Sequence, residues 1–239
     1  MTAIDLRPAE GRFHTKIDWL DSWHSFSFGE FYDPANTHHG LLRVLNDDVV
    51  APGRGFGMHP HRDMEIVTWV LDGALEHRDT EGNVGVITRN VAQRMSAGTG
   101  LRHSETNASA TEPVHFLQMW IPPDTPGIDP SYEQQDVSDL YDTGGLFAVA
   151  SGRAPDAAIR IHQRDATLWI ARLDPGQSVD LPDAPFVHLF VARGSVDLET
   201  AGEFGQGDAA RLQDAGALRV TAGADGAECT VWETRAEAR

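Results

Sequence analysis

Apolar and polar residues alternate at strand spacing over most of the 239-residue chain, and no stretch shows a helical period of useful length. Residues 12–35 are dense in aromatics, with alternation at Phe26, Phe28 and Phe31, and predict an N-terminal strand and loop packed on a first core. Leu41–Asn46 predicts a strand that ends before Asp47-Asp48, Val49-Val50 and a Pro52-Gly53 turn. Met64–Leu71, Ala74–His77 and Val84–Ile87 are apolar runs separated by turn residues at Asp72-Gly73 and at Glu81-Gly82-Asn83, which predicts antiparallel hairpins. Val114–Ile121 alternates: His115, Leu117 and Met119 share one face, Phe116, Gln118 and Trp120 the other. From Pro122 to Pro130 four prolines stand in nine positions, which predicts a crossing segment or linker.

The second half repeats the first in outline. Phe186–Leu198 can be laid on Glu65–His77 with Gly194 on Gly73, and a looser match places Val220 and Ala222 where His103 and Glu105 stand. The expected architecture is all-β, two stacked antiparallel β-barrels of the jelly-roll kind, over residues 1–130 and 131–239.

Two polar clusters interrupt the apolar pattern. One, G-R-G-F-G-M-H-P-H-R-D-M-E, supplies His59 and His61; the other, G-T-G-L-R-H-S-E-T-N, supplies His103 and Glu105. Residues i and i+2 of a strand lie on one face about 6.7 Å apart, so these are two same-face pairs that facing strands can bring together inside a barrel. In the repeat the first pair falls on Asp180 and Pro182, so the second barrel is expected to keep the pattern and lose the ligands. Three neutral imidazoles and a carboxylate suit Fe, Mn, Co, Ni, Cu or Zn and leave coordination positions free for chemistry.

Charge narrows the partners. With 19 Lys and Arg against 36 Asp and Glu, the net charge of −17 repels a phosphate backbone, so direct nucleic-acid binding is not expected. A single cysteine, Cys229, precludes an intramolecular disulfide and fits a reducing compartment. The N-terminus mixes charges without an apolar leader core, and no run approaches ~18 apolar residues, so the expectation is a soluble cytoplasmic protein with no membrane partner.

The same residues carry a resemblance. H-x-H followed by G-x-x-H-x-x-x-N resembles the two motifs of the cupin superfamily. The flanking text resembles the pirin family in W-H-S-F-S-F-G-E-F-Y-D-P, L-R-V-L-N-D-D, G-F-G-M-H-P-H-R-D-M-E-I-V-T-W-V-L-D-G, E-H-R-D-T-E-G-N and M-S-A-G-T-G-L-R-H-S-E-T-N. It runs through most of the first 125 residues and thins in the second half. It implies a bicupin whose N-terminal domain holds one metal through His59, His61, His103 and Glu105. Glu65 stands one residue out of register with one form of the cupin glutamate, and a one-residue slip turns a strand side chain to the other face. The carboxylate ligand is therefore assigned to Glu105, as in pirins. The remaining candidates, His14, His24, His77, His115, His162 and His188, are read as satisfied strand or surface histidines. Met58, Met64, Phe56, Trp69 and Trp120 could line an apolar pocket over the metal, although core packing is the plainer reading of each.

Bacterial pirins of this kind resemble quercetin 2,3-dioxygenases, which open a flavonol ring with O2 and release CO. The resemblance implies a small aromatic, flavonol-like substrate and a divalent metal, Fe(II) first, with Mn, Co, Ni or Cu as alternatives. Glu105 would then be both ligand and general base. A second reading is an iron-dependent, redox-sensing regulator of a protein partner, either a transcription factor or a metabolic enzyme.

Overall fold

The computed structural model describes residues 3–141 and 144–238. Three sheets carry the two halves, antiparallel except where Gly145–Ser151 pairs in parallel with Ile159–Arg160. The first half pairs a seven-stranded sheet, in the order Ser131–Asp136, Val91–Ser96, Glu65–Asp72, Val114–Ile121, Val44–Val50, Leu20–His24, Phe13–Ile17, with a four-stranded sheet, in the order Gly55–His61, Leu101–Asn107, Ala74–Asp79, Val84–Thr88. The second half is one nine-stranded sheet built on two long strands, Phe186–Leu198 and Arg219–Thr234. The result is two cupin barrels, all-β as expected. Among the described residues, helix is confined to the Ala9–Gly11 and Ser138–Tyr141 turns, and none is long and apolar enough to cross a membrane.

Strand alternation explains how the barrels meet. On Val114–Ile121, Leu117, Met119 and Ile121 join a core that also takes Phe147, Leu168, Ile170, Phe190 and Trp232 from the second half. Phe116, Gln118 and Trp120 face the first barrel's interior. Glu65–Asp72 divides likewise, with Val67, Trp69 and Leu71 at the junction. Burying each such aliphatic side chain contributes roughly 1.5–3 kcal/mol, and this shared core holds the halves together. Trp69 reinforces it by donating from Nε1 to Glu228 Oε1 at 2.9 Å.

Backbone pairing crosses residue 130 in both directions. Ala3–Arg7 pairs with Ala209–Gln213 on the second sheet, and Ser131–Asp136 pairs with Val91–Ser96 on the first. The proline-rich segment 122–130 has no regular structure and spans the junction, with Asp124 N donating to His162 O and Thr99 N to Ile128 O.

Two local expectations are corrected. Asp72-Gly73 is not a hairpin: Glu65–Asp72 and Ala74–Asp79 belong to different sheets, and Gly73, at φ 80°, carries the chain around the corner. A Cβ there would stand 2.6 Å from Pro113 O. The aspartate doublet does not end a strand either, because Asp47 and Asp48 lie within Val44–Val50. Asp47 meets Arg12 Nη1 at 3.0 Å and His115 Nε2 at 2.6 Å, and Asp48 accepts from Ser22 Oγ, so both carboxylates are partnered.

Candidate metal centre

The four-stranded sheet builds the site. Gly55–His61 pairs with Leu101–Asn107 so that His59 stands opposite His103, and alternation puts His61 on the same face. One ring nitrogen from each of His59, His61 and His103 lies within 4.8 Å of the other two. The register with Gly55–His61 shifts between His103 and Glu105, whereas the pairing with Ala74–Asp79 stays regular and sets Glu105 opposite His77. Glu105 falls in an overlapping group with His77 and His103, again within 4.8 Å, so His103 is common to both groups.

The hydrogen bonds fix which nitrogens are free. His59 Nδ1–H donates to Gly57 O at 2.7 Å, leaving Nε2 with its lone pair. His77 Nε2–H donates to Asp79 Oδ2 at 3.2 Å, so the 3.3 Å contact between the two Nδ1 atoms runs from His103 to His77. His103 Nε2 is thus also a lone pair. It and His61 Nε2 are buried without a hydrogen-bond partner. Burial, then the charge of neighbouring imidazoles, lowers His61 to about 4 and His103 to about 2, which keeps both rings neutral. Unpartnered, buried, neutral imidazole nitrogens on one face fit a borderline transition-metal ion.

Glu105 is held differently. Gln118 Nε2 donates to both of its oxygens, at 2.8 and 2.6 Å, and Gln118 Oε1 accepts from Trp120 Nε1 at 3.0 Å. Burial raises the Glu105 pKa to about 7, with the Gln118 hydrogen bonds working against it. Glu65, by contrast, accepts from Ser96 Oγ and His162 N and faces the junction.

His59, His61 and Glu105 line a cavity of about 620 Å³. Trp19, Leu20, Phe28, Phe31, Phe56 and Trp120 supply its apolar wall. Trp120 packs edge-on against His61, with ring centroids 4.8 Å apart. Phe56 and Trp120 therefore line the pocket, whereas Trp69 is fully buried at the junction, Met58 is exposed, and Met64 packs against a small separate cluster. Asp48 lines the same cavity, buried, with its pKa raised to about 7 chiefly by burial. Beside it, His24 bridges Asn46 Oδ1 and Thr15 Oγ1 at 2.9 Å each.

Sequence reasoning missed His77 and Asp79. They face Glu105 and His103 across the Ala74–Asp79 strand, and the local text H-R-D is their sole trace. His14, His115 and His162 sit outside the cluster, with Asp21, Asp47 and Glu65.

Comparison with known proteins completes the picture. The Pirin family profile matches residues 7–121, and that of the quercetinase C-terminal cupin domain matches residues 148–231. A quercetin 2,3-dioxygenase of Escherichia coli is 44% identical over 196 residues, 82% of this chain and 84% of that protein. A Mycobacterium tuberculosis protein bearing that name provisionally is 56% identical over 239 residues, covering 99% and 98% of the two chains. The crystal structure of the Escherichia coli pirin YhhW with nickel(II) superposes at a TM-score of 0.89, with 37% identity, over 99% of this chain and 100% of that one.

Proposed function

Because the chain belongs to the pirin family, we propose that it is a metal-dependent dioxygenase acting on a flavonol-like substrate. His59, His61, His103 and Glu105 would hold its single transition metal. One observation carries the reading: three clustered imidazoles, two with buried unpartnered nitrogens, stand beside a largely apolar cavity of about 620 Å³ that His59 and His61 line. That volume is within the range of small-molecule sites, roughly 300–1,000 Å³, and accommodates three fused or linked rings.

A bound metal would supply Lewis acidity toward the flavonol 3-hydroxyl and a path for electrons to dioxygen. Glu105, its pKa raised to about 7 by burial, would take the hydroxyl proton and hold it near the substrate oxygen. Gln118 orients the carboxylate, and Trp120 in turn orients Gln118. Phe28, Phe31 and Phe56 offer faces for aromatic rings. Asp48, neutral below pH about 7, and Asn46 provide polar partners for hydroxyls remote from the reacting ring.

The test is oxygen consumption with quercetin by protein loaded separately with Fe(II), Mn, Co, Ni or Cu, with carbon monoxide measured alongside. Turnover that depends on the metal and fails in Glu105→Gln and His61→Ala supports the dioxygenase and names its metal. Absence of turnover at full occupancy rejects it in favour of redox-sensing regulation of a protein partner.

A further inference from the structure

The junction between the barrels holds a second cavity, of about 290 Å³, that shares no lining residue with the first. Its floor is a row across three strands: Asp5 stands opposite Arg211, and Arg211 opposite His188, so all three side chains leave the sheet on one face. Ser25 and Asn36, from the first half, close it, and Arg7 and Arg12 line its sides.

The polar groups in this cavity are conspicuously unpaired. Arg211 is 5% exposed, and its Nη2 donates to Ser25 O at 2.9 Å and to Asn36 Oδ1 at 2.7 Å, both neutral acceptors. Its Nε has no partner; nor do Ser25 Oγ or either ring nitrogen of His188, itself 1% exposed. Among the described residues no carboxylate stands at ion-pair distance from Arg211, because Asp5 is taken by Arg7 at 2.7 Å. The guanidinium lies 4.2 Å over the Phe26 ring, so one side of the charge is apolar. Burial, then repulsion from Arg7, lowers the Arg211 pKa to about 10. A buried cation without a counter-ion is costly, and a chain of net charge −17 has no shortage of carboxylates with which to pair it. Instead, Arg211, His188 and Ser25 line the cavity with buried polar atoms left unpaired.

We propose that this cavity is a binding site for a small oxyanion, a carboxylate or a phosphate, held by Arg211 with His188 and Ser25 beside it. The anion would neutralise Arg211 and touch the N-terminal strand, the second sheet and the loop that begins at Ser25. That loop also carries Phe28 and Phe31 of the metal cavity, so the two sites share one segment of chain.

Isothermal titration of the metal-loaded protein with acetate, malonate and inorganic phosphate, at ionic strength held constant with chloride, tests the assignment. The expected result is saturable one-to-one binding of at least one anion, weakened about tenfold or more in Arg211→Met. Binding should persist in His61→Ala, which separates this site from an anion held at the metal. Ser25→Ala deletes one unpaired donor and leaves the carbonyl that Arg211 uses, so it should weaken binding several-fold even if Arg211→Met does not fold. Binding confined to phosphate or to the carboxylates tells the two sources apart. Lack of saturable binding into the millimolar range, or equal binding in wild type, Arg211→Met and Ser25→Ala, overturns the proposal.

Discussion

The two barrels share a fold and differ in what fills them. Where the first sets His77 across from Glu105, the second sets Leu198 across from Val220. Val196, Leu198, Phe204, Val220 and Ala222 pack with Leu173, Leu189 and Val231 into a closed apolar core. In the first, Leu20, Val50, Val70, Leu75, Ile87, Val114 and Phe116 fill one end, and the remainder is cavity and polar cluster. A barrel interior can serve as packing or as a site, and each side chain given to the site is withdrawn from the core. The second barrel is joined to the first through the core that holds Leu117 and Trp232.

Substitutions can sharpen or break that contrast. The largest effect should come from His61→Ala or His103→Ala, which abolishes stoichiometric metal binding by elemental analysis; full metal content in both would dismantle the ligand assignment. Next is a pH effect in the hollow barrel. Asp48 titrates at about 7 in the folded chain against a reference value of 3.8, so the folded form holds its proton more tightly than the unfolded one. Its contribution is therefore present at acid pH and is lost as pH rises towards 7, by on the order of 4 kcal/mol at most. Chemical denaturation of the metal-free protein should show Asp48→Asn gaining on wild type as pH rises from about 4 to about 7. Parallel curves would refute the shift.

In the packed barrel, Leu198→Ala should cost roughly 3 kcal/mol of unfolding free energy while leaving metal affinity unchanged. A change in metal affinity would mean that the barrels are more tightly coupled than their separate interiors suggest. His77→Phe removes the acceptor that fixes the His103 tautomer, and metal titration should show an affinity loss of about 10–100-fold. The smallest effect is expected at Asp180→Ala. Asp180 pairs with Arg219 at 2.9 Å on the outside of the second barrel, and the melting temperature should not change measurably.

Much of this was legible in the text of the chain. The H-x-H and H-x-E spacings yielded the three clustered imidazoles, because strand alternation alone puts such pairs on one face. The alternation of Val114–Ile121 likewise separated junction residues from cavity residues correctly. What local text could not reveal depends on register between distant strands. His77 was set aside because H-R-D says nothing until Ala74–Asp79 lies beside Leu101–Asn107. The looser half of the repeat slipped by two residues: Val220, matched by text to His103, occupies the position opposite Leu198 that Glu105 holds opposite His77. The Asp5, Arg211 and His188 row assembles from three remote segments, so no window of sequence contains it.

The strand Ala3–Arg7 has a consequence in time. It pairs with Ala209–Gln213, made about 200 residues later, which at ~5–20 residues per second is a wait of roughly 10–40 s during synthesis. The hollow barrel's strands, all within 13–136, can fold while the arm is still unpaired on the ribosome. The arm can dock only once the strand it pairs with in the second sheet has been made. A tag fused to its N-terminus should accordingly slow completion of the second barrel more than that of the first.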